Sequence, residues 1–317
     1  MARQRCAQTI WITGARGFIG RQVGLMAGSG ASVIAGIGHG AWSDREAARY
    51  GLVHWVNSEI TVGSLGQLRS LTGVPDVVFH LAGGSSVGAA IANPHEDFQR
   101  TVGSTANLLE WLRQYSPETR LVAVSSAAVY GANHQGAICE MDTSSPVSPY
   151  GVHKLMMEEM CRSYANSYGI RVAVARLFSV YGPGLKKQLL WDLCEKIRSG
   201  KGVELGGTGD ETRDWIHVAD VCRNLVGMVN LADLVAPTLN VGTGIATSVR
   251  DIAAAVVRAW NPRAPWDAVI FNGKVRQGNP MHLVADISRM HASGLDTSVD
   301  IVKGIKEYVD WYRLVSG

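Results

Sequence analysis

The sequence contains no long apolar run, no paired-cysteine motif and no block of one charge. None of its apolar stretches approaches the length of a membrane span, which argues against a membrane partner. The opening stretch MARQRCAQTIWITG is too polar for a signal peptide and leads directly into a strand. The net charge of +3 is spread along 317 residues, so nucleic acid is not expected as a partner. The five cysteines show neither CxxC nor metal-ligand spacing, which predicts reduced thiols, no metal site and a cytoplasmic location.

The first half of the chain alternates short apolar runs with helical patterns. Six runs rich in β-branched residues are typical of buried parallel strands: QTIWITG, SVIAGIG, HWVNSEI, DVVFHLAG, RLVAVSS and RVAVARLF. Helical patterns lie between them, notably HEDFQRTVGSTANLLEWLRQY and the segment that begins at Tyr150. This alternation predicts an α/β fold with a doubly wound parallel sheet. Because the pattern changes after Arg176, we expect one domain over residues 1–176, with a late return near 218–243, and a smaller α/β region over 177–317.

A glycine-rich turn, TGARGFIG, follows the first predicted strand and opens a helix. Gly14, Gly17 and Gly20 allow a tight turn, close approach of a pyrophosphate and close helix–strand packing, and the start of the helix supplies amide donors. The strand–turn–helix setting therefore predicts a Rossmann-type dinucleotide site. The residues predicted to contact this cofactor are Gly14, Arg16, Gly17, Phe18, Ile19, Gly20, His39, Glu59, Ile60, Leu81, Ala82, Gly83, Tyr150, Lys154 and Phe178.

The end of the second predicted strand bears on the choice of cofactor. An acid is expected there to bind the ribose 2′-hydroxyl of NAD, but the chain has Ile37, Gly38 and His39, and no acid precedes Asp44. Arg16, inside the glycine loop, could bind a 2′-phosphate. The combination slightly favours NADP over NAD. The alternative is that Arg16 is a solvated loop residue and the ribose contact comes from elsewhere.

The stretch SPYGVHK places Tyr150 and Lys154 on one face of a first helical turn. Such a pair alone is commonplace on helices. Its meaning comes from an ordered set of stretches: TGARGFIG, DVVFHLAG, VSSAAVYG, SPYGVHK, RLFSVYGPG and RDWIHVAD. With these, the chain resembles the extended short-chain dehydrogenase/reductase family of nucleotide-sugar epimerases, dehydratases and reductases, over residues 9 to about 280.

The resemblance implies a catalytic trio. Tyr150 would be the acid/base that exchanges a proton with a sugar hydroxyl or ketone. Lys154 would lower the phenol pKa from about 10 and bind the nicotinamide ribose. Ser126 would hydrogen-bond the reacting oxygen, with Ser125 as the fallback.

The residues after Ser126 restrict the reaction. The 4,6-dehydratases of this family carry an Asp-Glu pair there, whereas this chain has Ala127 and Ala128, whose methyl groups cannot transfer protons. The resemblance therefore favours C4 epimerisation of a UDP-hexose through a transient 4-keto intermediate. The alternative is an NADPH-dependent reductase of nucleotide 4-keto-6-deoxy sugars, and a third reading is a catalytically inactive cofactor-binding or scaffold protein.

The family also implies a nucleotide-sugar handle. Arg213 and Arg276 match arginines that clamp the diphosphate, although Arg213 could instead pair with Asp214 or Asp210. Ser179 stands where most epimerases have asparagine, as does Thr101. The predicted substrate-binding residues are Ser85, Ser126, Ser179, Arg213 and Arg276. The family usually dimerises through the helix around Asn107 and the Tyr150 helix, so a homodimer is expected.

Overall fold

Strands and helices alternate along the chain in the computed structural model, which describes residues 8–28, 33–200, 202–263, 269–274 and 280–316. The strands are β1 Thr9–Thr13, β2 Val33–Gly38, β3 His54–Asn57, β4 Val77–His80, β5 Arg120–Ser126, β6 Ala137–Ile138, β7 Arg171–Leu177, β8 Ser179–Tyr181, β9 Val203–Leu205, β10 Thr212–His217, β11 Thr238–Val241, β12 Ala246–Ser248, β13 Val269–Phe271 and β14 His282–Ala285. The helices are α1 Phe18–Ala27, α2 Asp44–Ala48, α3 Val62–Thr72, α4 Val87–Ala92, α5 Pro94–Phe98, α6 Ser104–Tyr115, α7 Pro149–Tyr168, α8 Gln188–Ser199, α9 Val218–Met228, α10 Val249–Trp260, α11 Ser288–Ala292 and α12 Ile301–Ser316. None of the helices in these ranges combines the length and apolarity needed to cross a bilayer.

Within the described residues, seven strands form the main sheet, in the order β11-β7-β5-β4-β1-β2-β3. The pairs β1–β2, β1–β4, β2–β3 and β4–β5 are all parallel. The predicted doubly wound parallel sheet is confirmed, and the six apolar runs read as strands each contribute one. The strand order reverses between β1 and β4, and ligands of such sheets bind at the carboxyl ends of the strands beside this reversal.

The core of the sheet is apolar on both faces, as its strand sequences require. All four residues of β4 are buried, and so is nearly every residue of β5 and β7. Trp11 of β1 and Trp111 of α6 are almost fully buried, with ring centroids 5.0 Å apart. Because this packing fixes β1, β4 and α6 against one another, the loops after β1 and β4 are held in place.

The helix predicted over residues 95–115 is divided into three parts. A π-helical turn, Gln99–Gly103, separates α5 from α6. The side chains of Ser104 and Thr105 donate to the carbonyls of Arg100 and Thr101 at 2.5 and 2.6 Å, which competes with regular helical bonding. Apolar periodicity persists through the turn, which is why the sequence pattern reads as one helix.

The described residues divide into two compact units. The first comprises the residues up to Val129, with Pro146–Arg176 and Cys222–Leu239, and contains most of the main sheet. The second comprises Tyr130–Ser145, Leu177–Val221 and the residues from Asn240 onward. In the second unit β12, β10, β14 and β6 pair in that order, with β8 on β10, and β9 pairs with β13. Residues 130–145, read from the sequence as part of the first domain, belong to this second unit, where β6 pairs with β14.

Candidate active site

The glycine loop after β1 lies against the loop after β4. The Gly14 N–H donates to the Ile37 carbonyl at 2.7 Å, and Gly14 adopts φ +69°, a conformation that favours glycine. A Cβ on Gly14 would lie 2.9 Å from the Ala82 nitrogen, too close for any side chain. Gly17 is the N-cap residue of α1, and it has no side chain that could bond to the first-turn amides. Among the described residues, no side chain caps the first-turn amides of α1, and this glycine cradle, the turn from Gly14 to Gly20, suits a dinucleotide pyrophosphate.

A buried hydrogen-bonded chain fixes the second wall of this cradle. The Thr105 hydroxyl donates to the Thr101 carbonyl, so its oxygen accepts from His80 Nε2 at 2.9 Å. His80 Nδ1 then accepts from the Thr13 hydroxyl at 2.8 Å. The Thr13 oxygen in turn accepts from the backbone N–H groups of Leu81 and Ala82. Burial, aided by the Lys154 charge, lowers the pKa of His80 to about 3, which keeps the imidazole neutral as this chain requires.

Tyr150 is positioned by the start of α7. Ser148 caps the helix by accepting from the Gly151 N–H at 3.2 Å, and Pro149 occupies its first turn. A Cβ on Gly151 would lie 2.5 Å from the Ala128 carbonyl oxygen, so only glycine lets α7 approach the Ser126 loop this closely. This approach brings the Tyr150 phenol near enough to Ser126 for the serine to influence its pKa.

The pKa of Tyr150 is raised rather than lowered. Burial is the largest cause, the charge of Asp97 adds to it, and the hydrogen bond with Ser126 opposes it. The charge of Lys154, which favours the phenolate, is evident from the sequence, whereas the burial of Tyr150 is evident only from the fold. In the protein by itself, burial is the stronger effect.

Lys154 lies one turn further along α7 and is only 4% exposed. Its Nζ donates to the Val124 carbonyl at 2.9 Å, and a Cβ on Gly83 would lie 3.1 Å from Nζ. Burial lowers the pKa of Lys154 to about 8, while the charges of Asp97 and Glu158 raise it. The structure thus places the predicted trio and Gly83 in one part of the first unit.

The two serines after β5 have different surroundings. Ser125 is buried and donates to Glu158 Oε1 at 2.6 Å. Arg176 binds the same carboxylate through Nε at 2.9 Å and Nη2 at 2.7 Å. Ser126 is half-buried and accepts from the Ala128 N–H at 3.2 Å. Ser125 is therefore part of a structural cluster, which leaves Ser126 as the better candidate.

The remaining predicted cofactor residues line the edges of the first unit. Arg16 is exposed, and a side chain at Gly40, just after β2, would collide with its guanidinium. His39 and Glu59 are exposed. Ile60 is buried, and its carbonyl accepts from Asn107 Nδ2 at 2.8 Å. Phe18 and Ile19, the first residues of α1, are half-buried. Ser85, predicted to contact the substrate, is exposed.

The other predicted contacts belong to the second unit. Phe178 is buried beside Tyr130, and Ser179 begins β8. Arg213 on β10 is half-buried; its Nη1 donates to the Thr212 carbonyl at 2.7 Å, and burial lowers its pKa. Arg276 lies outside the described residues.

The two acids considered as partners of Arg213 have other contacts. Asp214 accepts from the Thr243 N–H at 2.7 Å and the Gly244 N–H at 2.9 Å. Asp210 lies 3.3 Å from Arg250. Both acids thus have partners other than Arg213.

A doubly wound sheet with a glycine-rich turn after β1, Ser126 at the end of β5, and Tyr150 and Lys154 on α7 defines an NAD(P)-dependent enzyme of the short-chain dehydrogenase/reductase type. The chain belongs to the NAD dependent epimerase/dehydratase family, whose sequence profile matches residues 10–242. The family membership expected from the motifs is thereby confirmed.

Three similar proteins indicate where in this family the chain lies. It is 31% identical to an uncharacterised UDP-glucose epimerase of Bacillus subtilis, YtcB, over 70% of this chain and 69% of that protein. It is 25% identical to UDP-glucuronate 4-epimerase 2 of Arabidopsis thaliana, over 98% of this chain and 77% of that protein. A solved structure of MoeE5 in complex with UDP-glucuronic acid and NAD is 28% identical, with a TM-score of 0.84 over 97% of this chain and 99% of that one.

Proposed function

We propose that this protein is a UDP-sugar 4-epimerase that works through a transient 4-keto intermediate. The observation that carries the proposal is the Ser126-Tyr150-Lys154 trio, with Ala127 and Ala128 beside it in place of an acid pair. These residues supply proton transfer at one carbon and nothing for the elimination of water. The names of the similar proteins, a UDP-glucose epimerase and a UDP-glucuronate 4-epimerase, support the same reaction.

Each residue of the trio has one task. Tyr150 accepts the proton of the C4 hydroxyl and returns it to the ketone at the end of the turnover. Ser126 donates to the same oxygen and orients it. Lys154, held by the Val124 carbonyl, supplies a positive charge near the phenol. The cofactor, when bound, accepts and returns the C4 hydride.

Each unit carries its own set of predicted binding residues in this proposal. The first unit holds the dinucleotide on Gly14, Gly17 and Gly20 and on Leu81–Gly83. In the second unit, Arg213 and Ser179 are proposed to bind the UDP portion, with Arg276 as a further predicted contact. Phe178 stays a predicted cofactor contact, and Ser85 stays a predicted substrate contact. Guanidinium groups suit this role because they form charge-assisted hydrogen bonds with phosphate oxygens.

For the cofactor we propose NAD, because the matching family is NAD dependent and MoeE5 binds NAD. The NADP preference that Arg16 suggests stays a prediction. Its support is local: the Arg16 guanidinium lies beside Gly40, just past the strand end where no acid is present.

The test is conversion without net redox change. Purified protein is incubated with NAD and, separately, UDP-glucose, UDP-glucuronate and UDP-N-acetylglucosamine, and the C4 epimers are measured by chromatography. We expect epimer to form from at least one sugar without added NADH or NADPH. Tyr150→Phe should lower turnover by about 10²- to 10⁴-fold while cofactor affinity is nearly unchanged, as expected for loss of a general acid/base.

Two outcomes would overturn the proposal. If no UDP-sugar is converted, and a 4-keto-6-deoxy sugar nucleotide instead consumes NADPH stoichiometrically, the protein is a reductase. If cofactor binds and no sugar reacts, it is a binding protein. Wild-type turnover in Tyr150→Phe would exclude Tyr150 as the acid/base.

A further inference from the structure

A carboxylate and an imidazole are buried together beside the catalytic helix. Asp97 of α5 and His153 of α7 are 5% and 9% exposed. His153 Nδ1 donates to Asp97 Oδ2 at 2.6 Å, and the edge of the Phe98 ring packs against the imidazole. Acids are rarely buried unless paired, so the position of this one needs an explanation. His153 stands between Tyr150 and Lys154 in the sequence, one residue before the lysine.

Asp97 and Lys154 reach the same loop from different elements. A Cβ on Gly84 would collide with Asp97 Oδ1, so the carboxylate lies directly on that glycine. Lys154 Nζ lies on the preceding glycine, Gly83. The loop itself is fixed because the Gly84 N–H donates to the Thr101 hydroxyl at 2.8 Å. The negative and positive charges are thus placed on consecutive residues of one immobile segment.

The surroundings of Lys154 make this acid significant. The groups that act on Lys154 are Asp97 from α5, Glu158 and the Cys161 thiol from its own helix, and neutral His80 from β4. Glu158 is already engaged with Arg176 and Arg162, at 2.7 Å each. Asp97 has no such arginine among its described ion pairs, and its charge is the largest influence opposing the burial of Lys154.

We propose that Asp97, oriented by His153, is a positioning residue that keeps Lys154 a cation in its buried site. The inference rests on the proposed function in that Lys154 is taken as catalytic. A neutral lysine could not favour the phenolate of Tyr150, so the acid would set the upper pH limit of activity. The charge of Asp97 also raises the pKa of Tyr150. Removal of this charge should therefore lower the pKa of Tyr150 and that of Lys154 together.

Asp97→Asn tests the charge with little change of shape, because the amide oxygen can still accept from His153. The titration of Lys154 is followed by NMR with carbon-13 at lysine Cε, and Lys154→Met identifies the resonance. We expect a wild-type midpoint near 8, the value to which burial lowers the pKa. In Asp97→Asn the midpoint should fall by about one pH unit. The alkaline limb of the pH–kcat profile should move down by the same amount.

Matched variants separate charge from structure. Glu96→Gln removes a neighbouring acid of α5 that is exposed and pairs with Arg100, and it should leave both measurements unchanged. His153→Asn keeps Asp97 charged and bonded, so the Lys154 midpoint should not fall. If Asp97→Asn does not fold, the double variant Asp97→Asn/His153→Asn pairs two amides and should show the same lowered midpoint.

The outcomes distinguish this inference from the proposed function. The NMR titration needs no sugar, so it tests the effect of Asp97 on Lys154 even if no UDP-sugar reacts. A Lys154 midpoint that stays at the wild-type value in Asp97→Asn overturns the inference, whatever the activity. A lower kcat with unchanged pH limbs would show that Asp97 acts on packing alone.

Discussion

Tyr150 meets opposing requirements at the scale of the single residue. In the proposed mechanism it has to release a proton and take it back within one turnover, so neither protonation state can be strongly favoured. Burial and Asp97 favour the phenol, whereas Ser126 favours the phenolate. The proposed mechanism therefore requires the charge on Lys154, and a residue that maintains that charge would support catalysis together with the trio.

Arg16 offers a second test at this scale. If its guanidinium, exposed beside Gly40, reads a 2′-phosphate, Arg16→Ala should weaken NADP binding by about tenfold or more and leave NAD binding nearly unchanged, because only the phosphate loses its partner. Dissociation constants for both cofactors, measured by calorimetry, give the comparison. An equal loss for both, or tight preference for NAD in the wild type, would show that Arg16 does not read the phosphate.

The sequence predicts the surroundings of some site residues and not those of others. Gly14, Tyr150 and Lys154 lie in short stretches whose local spacing fixes their geometry, so the sequence could place them. Asp97 and His153 are 56 residues apart, and only the packing of α5 on α7 brings them together. Both lie in stretches already read as helical.

At the scale of the element, α7 carries both the predicted catalytic residues Tyr150 and Lys154 and a buried ion cluster. Glu158, one turn after Lys154, is fully buried and receives hydrogen bonds from Ser125, Arg176 and Arg162. These contacts attach α7 to β5 and β7, which sets the depth of Lys154 in the site. A buried carboxylate is stable here only because every partner is present.

Glu158→Gln should therefore destabilise the protein strongly. It removes the charge that compensates buried Arg176, which costs about 3–5 kcal/mol of the free energy of unfolding. Urea unfolding followed by circular dichroism measures the change. Glu159→Gln is the matched control, because Glu159 is exposed and its pairing with Arg162 contributes only about 0–1 kcal/mol. Equal effects of the two variants would contradict the role given to the cluster.

Strands with continuous apolar runs could be predicted from the sequence, whereas the interruption between α5 and α6 could not. The strands of the main sheet are buried on both faces, so their runs are unmistakable. The π-helical turn at Gln99–Gly103 arises from side-chain hydrogen bonds of Ser104 and Thr105 to carbonyls, which apolar periodicity cannot reveal.

At the scale of the whole molecule, dimerisation through α6 and α7 stays a prediction. Val152 and Met156, four residues apart on α7, are each 40% exposed, as an apolar contact face would require.

Which of the predicted domains binds the cofactor and which binds the substrate also stays a prediction. Residues 130–145 could not be assigned from sequence, because their partner strand, β14, lies about 145 residues away along the chain.

The central claim is that one carbon is oxidised and reduced again within a single turnover. The most direct measurement uses whichever UDP-sugar is converted, labelled with deuterium at C4, with unlabelled NAD and no added reductant. If the hydride leaves C4 and returns to it, the epimer should retain deuterium at C4, and no net NADH should accumulate. Loss of the deuterium to solvent, or formation of NADH in proportion to product, would contradict the account.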